Sequence, residues 1–178
     1  MRAVVAALVA ALCLGASPAL GQEFSADDEA QVQARVAELM AVTESGDISG
    51  ALDVVPPRLY RHIARRIGVT EAEVRDYLLR MTGDATAGIV VVDYAIDVEG
   101  TRPSLTPDGT RTYLLMPTVL RMRRDGQVLR SESQTLALED EGRWWLIRID
   151  TQQQVDLVTQ IWPEFSGVDF PKGMMAAE

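Results

Sequence analysis

Two long runs of strand-forming residues, 110–124 and 127–139, are separated only by the dipeptide Asp125-Gly126. An Asp-Gly pair between such runs predicts a two-residue β-hairpin turn, because both residues tolerate the positive φ angles of that turn. A turn this short sets the register of the strands and pairs Arg121 with Arg130 across them. Like charges directly opposite each other are destabilising, so we expect acidic side chains beside this arginine pair.

Pro117 lies in the middle of the first strand of this hairpin. Proline has no N–H to donate to a β-ladder, so we expect the strand to be an edge, a bend or a bulge at this point. A strongly curved sheet would meet that requirement.

Helical patterns precede the hairpin, and one more follows it. Ser25 and Thr70 each stand before an acidic first turn as N-caps, and Thr151 can cap the last helix, which Pro163 ends. The glycines expected to end the earlier helices are Gly46, Gly68 and Gly83. The order predicts an α+β domain, with N-terminal helices packed on a strongly curved antiparallel sheet and a closing C-terminal helix.

Residues 89–98 alternate with the period of a β-strand. The residues expected on its apolar face are Val90, Val92, Tyr94, Ile96 and Val98. Both ends of the remaining chain, residues 22–25 and 167–178, are expected to be loose.

The first residues have the layout of a secretory signal peptide. Arg2 precedes an apolar run from Ala3 to Gly15, and Ala19-Leu20-Gly21 is a small-x-small cleavage site. We therefore predict that residues 1–21 are removed and that residues 22–178 form a single domain in the periplasm or outside the cell. The apolar run is too short for a transmembrane anchor. The cut also removes Cys13, the single cysteine, and with it any disulfide or thiol chemistry.

The formal net charge of −9 argues against nonspecific nucleic-acid binding, which requires a basic surface. No cluster of histidine, cysteine or carboxylate side chains has the spacing of a metal site, and no phosphate-binding loop is present. The sequence therefore predicts neither a metal nor another cofactor.

Two adjacent tryptophans, Trp144 and Trp145, stand in the apolar strand-like run 143–150. Side chains alternate along a strand, so the two rings must face opposite sides of the sheet. The Trp145 side is the more apolar and is expected to pack on helices. The register of the turn at residues 140–142 decides whether the Trp144 side carries Arg121 and Arg130, and the sequence leaves that open.

The segment Gly142–Asp150 and the later Trp162-Pro163-Glu164-Phe165, placed after N-terminal helices and a meander, resemble the nuclear transport factor 2-like superfamily (SnoaL-like, cystatin-like cone). The chain looks like an exported bacterial member. The resemblance implies a bent sheet wrapped around a helix, with a cavity at the wide end. Members include isomerases, dehydratases and polyketide cyclases, and also modules without catalysis, so the fold alone does not assign a function.

Enzymes of that superfamily use a cavity base and a group that polarises a carbonyl. Asp93 and Asp97 are the candidate bases here, with Tyr94 as the candidate electrophile, because a carboxylate in an apolar cavity has a raised pKa. An outward-facing strand surface is the alternative for both carboxylates. The candidate ligand-binding residues are Tyr60, Tyr113, Trp144 and Trp145, each of which also suits an ordinary core position.

One helix pattern carries a basic face in this acidic protein. Arg58, Arg61 and Arg65 could bind an anion or an acidic partner, or could form a solvated face. His62, the single histidine, lies off the apolar stripe of this helix and is expected to face solvent.

We therefore expect an exported noncatalytic module that binds a small apolar molecule or a protein partner in the cell envelope. The alternatives are a cofactor-independent lyase or isomerase, with an aspartate base and a tyrosine electrophile, and a structural homodimer.

Overall fold

A computed structural model of the chain describes residues 24–46 and 48–178. The signal peptide expected at residues 1–21, with its cleavage site at Gly21, lies outside these residues. Within the described ranges, no helix combines the length and apolarity needed to cross a bilayer.

The helices form where the capping residues predict. The first, α1 (Ala26–Ser45), begins at Ser25 with a capping box, in which the Ser25 hydroxyl accepts from the Asp28 N–H and the Asp28 carboxylate accepts from the Ser25 N–H. The other helices are α2 (Ile48–Asp53), α3 (Pro57–Ile67), α4 (Glu71–Thr86) and α5 (Gln152–Ile161). Helix α4 continues through Gly83, so the prediction that Gly83 ends it is wrong.

The strands are β1 (Val90–Ile96), β2 (Ser104–Leu105), β3 (Thr112–Arg124), β4 (Gln127–Asp140), β5 (Arg143–Ile149) and β6 (Met174–Ala177). They form one antiparallel sheet in the order β1-β3-β4-β5, with β2 also paired to β3 and β6 also paired to β4. The sheet is strongly curled, which confirms the expected curvature and α+β class.

The hairpin of β3 and β4 has the predicted register. Arg121 lies opposite Arg130, and Asp125 and Gly126 form the turn with positive φ angles. Acidic partners accompany the arginine pair as expected: Arg121 donates to Glu178 at 2.6 and 2.9 Å, and Arg130 Nε donates to Glu132 at 2.8 Å.

Pro117 lies in β3 between the segment that pairs with β1 and the segment that pairs with β2. The ladder with β1 ends at Thr118, and the ladder with β2 spans only Thr112 and Tyr113. The Pro117 carbonyl accepts from the Asp97 N–H at 2.9 Å. The proline is therefore tolerated at the end of the β1 ladder, where its carbonyl accepts from Asp97 although it has no N–H to donate in return.

The alternation expected in β1 is wrong for its first half. The register with β3 shifts between Val91 and Asp93, so that Val92 is the extra residue of a β-bulge. The shift reverses the phase: Val90 and Val92 are 57% and 40% exposed, whereas Tyr94, after the bulge, is buried. A pattern of consecutive valines cannot reveal where such a bulge falls.

The expectation of a loose C-terminal segment is also wrong. Strand β6 pairs with β4 at residues 129–132, just beyond the point where β5 leaves β4. The Glu178 N–H donates to the Val128 carbonyl at 3.0 Å, and the Gly173 N–H donates to the Asp150 carbonyl at 3.1 Å. All four residues of β6 are exposed, so backbone hydrogen bonds hold this strand.

Both faces of the sheet are covered. On one side, here called the α1 face, Val32 and Val36 of α1 pack with Trp144 and Leu146 of β5. On the other, the α5 face, Ile147 and Ile149 of β5 belong to a second cluster with the residues Leu59, Leu136, Val158, Ile161, Trp162 and Phe165. The expectation that helices pack mainly on the Trp145 side is therefore incomplete.

The turn after β4 settles the question that the sequence left open. Asp140 pairs with Arg143 and Leu138 with Trp145, which places Trp145 on the face that carries Arg121 and Arg130. Trp144 points to the α1 face. The outer edge of β5 is also closed, because the Leu146 N–H donates to the Val54 carbonyl at 2.9 Å.

Candidate functional site

The α1 face is not apolar throughout. Four hydroxyl side chains lie on it in register, on β3 and β4, and we call them the hydroxyl row: Thr118, Ser131, Ser133 and Thr135. Each is at most 5% exposed. Burying hydroxyls costs free energy unless they are hydrogen-bonded, so a row of them inside a sheet requires an explanation.

One end of the hydroxyl row is a closed hydrogen-bond chain. The Thr118 hydroxyl lies 3.1 Å from the Met116 carbonyl and 2.7 Å from the Thr135 hydroxyl, which in turn contacts the phenol of Tyr94. If Thr118 donates to the carbonyl, Thr135 donates to Thr118 and the Tyr94 phenol donates to Thr135. Burial raises the pKa of Tyr94 above its usual value, against smaller opposing effects of Arg148 and of the hydrogen bond with Thr135. Tyr94 is therefore a buried, neutral phenol that joins the hydrogen-bond chain through Thr135.

The other end of the row is only partly satisfied. Ser131 Oγ accepts from Arg148 Nη2 at 3.0 Å, whereas the buried Oγ of Ser133 has no hydrogen-bond partner among the described residues. Arg148 belongs to β5 and points to the same face, since it pairs with Thr135. This part of the row can accept or donate further hydrogen bonds.

Arg148 is the cationic group beside the hydroxyl row. Its Nε lies 3.1 Å from Asp150 Oδ2 but is not aligned for a hydrogen bond, and its side chain is 34% exposed. The neighbouring side chains on the α1 face are apolar. They include Leu120 and Leu129, which are half-buried, Met122, which is buried, and Met175, which is 63% exposed. The arrangement combines buried hydroxyls, one cation and neighbouring apolar side chains.

The hydroxyl row was not predicted, although the sequence carries a signal for it. Ser131-Glu132-Ser133-Gln134-Thr135 alternates hydroxyl with longer polar side chains along β4. Glu132 and Gln134 face the opposite side, together with Arg130. The register fixed by Asp125-Gly126 would have placed the hydroxyls on the same face as Leu129 and Ala137.

The carboxylates proposed as bases lie outside this site. Asp93 is exposed on the α5 face of β1, opposite Arg121. Asp97 is exposed just after β1, where its Oδ1 accepts from the Gly100 N–H at 2.8 Å. Both side chains are exposed to solvent and neither lies in an enclosed apolar cavity, as the hypothesis of a catalytic base required.

The candidate ligand-binding tyrosines, Tyr60 and Tyr113, make contacts within the fold. Tyr60 is buried, its hydroxyl donates to the Leu52 carbonyl at 2.6 Å, and burial raises its pKa to about 12. Tyr113 is half-buried and packs edge-on against Phe165, with ring centroids 5.4 Å apart. Neither lies in the hydroxyl row or beside Arg148.

The two tryptophans tie the strand β5 to its neighbours. Trp144 Nε1 donates to Asp28 Oδ1 at 2.9 Å, and this bond, after the one from Ser25, holds the pKa of Asp28 below its usual range. Trp145 Nε1 donates to the Asp140 carbonyl at 3.0 Å, and the guanidinium of Arg35 lies 5.0 Å from the Trp145 ring centre.

The arginines of α3 are largely paired. Arg58 donates to Asp140 Oδ1 at 3.3 Å and to the Ile161 carbonyl at 3.0 Å, and Arg61 pairs with Glu141. Arg65 remains exposed. The predicted anion patch is thus reduced to its Arg65 end, because two of its three members neutralise the turn between β4 and β5.

The single histidine is not fully solvated as expected. His62 is half-buried, and its Nε2 is buried without a hydrogen-bond partner in the described part of the chain. It lies in an open depression with Arg65, Arg66 and Gln160, on the helices of the α5 face. It therefore cannot serve the hydroxyl row.

Shallow depressions also flank α1. A small one of about 130 Å³ lies between Phe24, Asp28, Arg111, Glu139 and Trp144. It shares Trp144 with one neighbouring depression and Phe24 with another, so three separate depressions lie along the first half of α1. Pockets for small organic ligands usually measure about 300–1,000 Å³, so this enclosed part could hold only a small group.

Among the described residues, no group of three or more histidine, cysteine or carboxylate side chains could hold a metal ion. No protein-family model matches the chain. Comparisons with curated proteins and with solved structures also find no match. We therefore infer the function from the geometry of the α1 face.

Proposed function

We propose that this protein is an exported, noncatalytic module that binds a small, largely apolar ligand on the α1 face, with the polar end of the ligand at the hydroxyl row. The observation that carries the proposal is the unpartnered Oγ of Ser133, buried beside Arg148 in an otherwise apolar surround. Buried hydroxyls are normally hydrogen-bonded, so an unsatisfied one points to a partner that the described residues do not supply.

We infer that the groups around the hydroxyl row bind a ligand rather than transform it. The carboxylate of Asp150 lies 3.1 Å from Arg148 Nε and is ion-paired with that guanidinium. The Tyr94 phenol is buried and engaged with Thr135. The arrangement can bind and orient a group, but it lacks the free base that proton abstraction requires.

The fold supports the same reading. A curled antiparallel sheet with helices before it and a closing helix after it has the architecture that the resemblance to the nuclear transport factor 2-like superfamily implies. Membership in that superfamily is part of the proposal. Export to the periplasm or beyond rests on the signal-like residues 1–21.

A protein partner in the cell envelope is the second candidate. The three depressions along the first half of α1 support it, because a series of shallow depressions suits a polypeptide better than a small molecule. Replacing Ala34 by Arg would fill one of these depressions without touching the hydroxyl row. Loss of partner capture in that variant, with ligand binding unchanged, would favour this candidate.

Native mass spectrometry of protein purified from the periplasm tests the proposal. We expect the wild type to carry an additional small-molecule mass, which Ser133→Leu removes because the larger side chain fills the position. Gln134→Leu, on the opposite face of β4, is the matched control and should retain the mass. A wild type without any bound mass, or a mass that Ser133→Leu retains, would refute the proposal, and the same spectrum would reveal a homodimer.

A further inference from the structure

Arg148 has donors to spare. A guanidinium carries five N–H donors, and among the described hydrogen bonds only Nη2 is used, towards Ser131. The neighbouring Asp150 is close in space but out of line with Nε. The cation is therefore held in place on the α1 face without being saturated.

The other charged and titratable groups near Arg148 do not use up its donors. Tyr94 is a neutral phenol, and the hydroxyl row is uncharged. Asp150 lies 3.1 Å from Nε and offsets part of the charge of Arg148, but it occupies none of the Nη donors. Glu132, the nearest carboxylate on β4, faces the opposite side of the sheet and pairs with Arg130.

Ser133 supplies the second half of the site. Its Oγ is buried, and its position on β4 between Ser131 and Thr135 places it on the face that Arg148 crosses. A guanidinium with an adjacent hydroxyl is a common arrangement for carboxylate or phosphate oxygens, because both donate to the same anion. Leu120, Leu129 and Met175 continue the α1 face as apolar surface.

We infer that Arg148, Ser131 and Ser133 bind the anionic headgroup of a single-chain amphiphile, whose apolar chain lies along Leu120, Leu129 and Met175. This inference rests on the proposed ligand-binding function and names the chemical class of the ligand. The headgroup is a carboxylate or a phosphate, since both present oxygens to a guanidinium in the same way.

Calorimetric titration of the purified protein with dodecanoate, dodecyl phosphate and dodecanol tests the inference. We expect both anions to bind at least about tenfold more tightly than the neutral alcohol, the usual effect of one charge-assisted hydrogen bond. Arg148→Gln should remove that advantage, so that the two anions bind the variant no more tightly than dodecanol does. Arg130→Gln, which removes the same charge from the opposite face, should leave the affinity for all three unchanged. The tighter of the two anions identifies the headgroup.

Equal affinities of the wild type for dodecanoate, dodecyl phosphate and dodecanol would overturn the inference, as would anion binding that Arg148→Gln does not weaken. A protein that binds none of the three also overturns it. The proposed function is judged separately, by the mass retained in native spectra. Should Arg148→Gln fail to fold, Ser133→Ala and the anion-to-alcohol ratio of the wild type give the same decision.

Discussion

Asp140 joins three elements of the fold, and its replacement by alanine provides a quantitative test. The residue is 5% exposed at the end of β4. Its Oδ1 accepts from Trp162 Nε1 at 3.1 Å and from Arg58 Nη1 at 3.3 Å. The side chain thereby connects the sheet to the end of α5 and the start of α3.

The magnitude follows from the exposure of each partner. Trp162 is fully buried, so Asp140→Ala leaves its indole N–H unsatisfied at a cost of about 1–3 kcal/mol. The Arg58 side chain is 40% exposed, so its ion pair contributes only about 0–1 kcal/mol. Relief of the unpartnered, buried Oδ2 of Asp140 acts in the opposite direction. We expect a net loss of roughly 1–3 kcal/mol in the free energy of unfolding.

Urea denaturation followed by tryptophan fluorescence measures this loss. With a slope of about 2 kcal/mol per molar urea, the midpoint should fall by roughly 0.5–1.5 M. Asp140→Asn keeps the Oδ1 acceptor and should lose less, and Asp93→Ala, at an exposed carboxylate, should change stability by about 0.5 kcal/mol or less. If Asp140→Ala matches Asp93→Ala, the assignment of Asp140 as a structural link is wrong.

Three further outcomes are expected. Trp144→Phe should lower stability by about 1 kcal/mol. The pKa of Asp28 lies below its usual 3.8 in the folded protein, so the stability that this carboxylate contributes is present above pH 3.8 and is lost as the pH falls further. In acid titration of unfolding, Trp144→Phe should therefore lose less stability than the wild type. The phenol of Tyr60 should ionise near pH 12, as followed by ultraviolet absorbance. Its contribution to stability should be complete below pH 10 and should vanish between pH 10 and 12. Ionisation at pH 10 would contradict its burial. Gly173→Ala would place a Cβ 2.6 Å from the Cβ of Asp150 and should cost about 1–3 kcal/mol, with faster amide exchange at Glu178; wild-type exchange would show that β6 does not depend on this contact.

The sequence predicted those parts of the fold that short-range chemistry decides. The capping residues Ser25, Thr70 and Thr151 begin helices as expected, because each hydroxyl accepts from a backbone N–H three residues later. The turn Asp125-Gly126 gave the register of the longest hairpin. These features depend on a few neighbouring residues, so a single sequence suffices to recognise them.

Features that depend on distant partners were beyond reach. Valine occupies all three positions from Val90 to Val92, so nothing local distinguishes the bulged residue from its neighbours. Strand β6 buries no side chain, and only the free edge of β4 makes it a strand. The hydroxyl row was missed for a related reason, since serine and threonine in a strand usually indicate a solvated face and only its long-range pairing shows that this one is buried.

Strand β6 has a consequence for how this protein behaves in concentrated solution. Where β5 departs, the amide and carbonyl groups of residues 129–132 would otherwise form a ready template for strands of other molecules. Strand β6 pairs with these groups and thereby keeps other strands from binding them. Because it does so through main-chain groups alone, Met174, which lies on the face opposite the proposed ligand, can be exchanged for a polar residue at little cost, whereas removing the segment should make the protein aggregate.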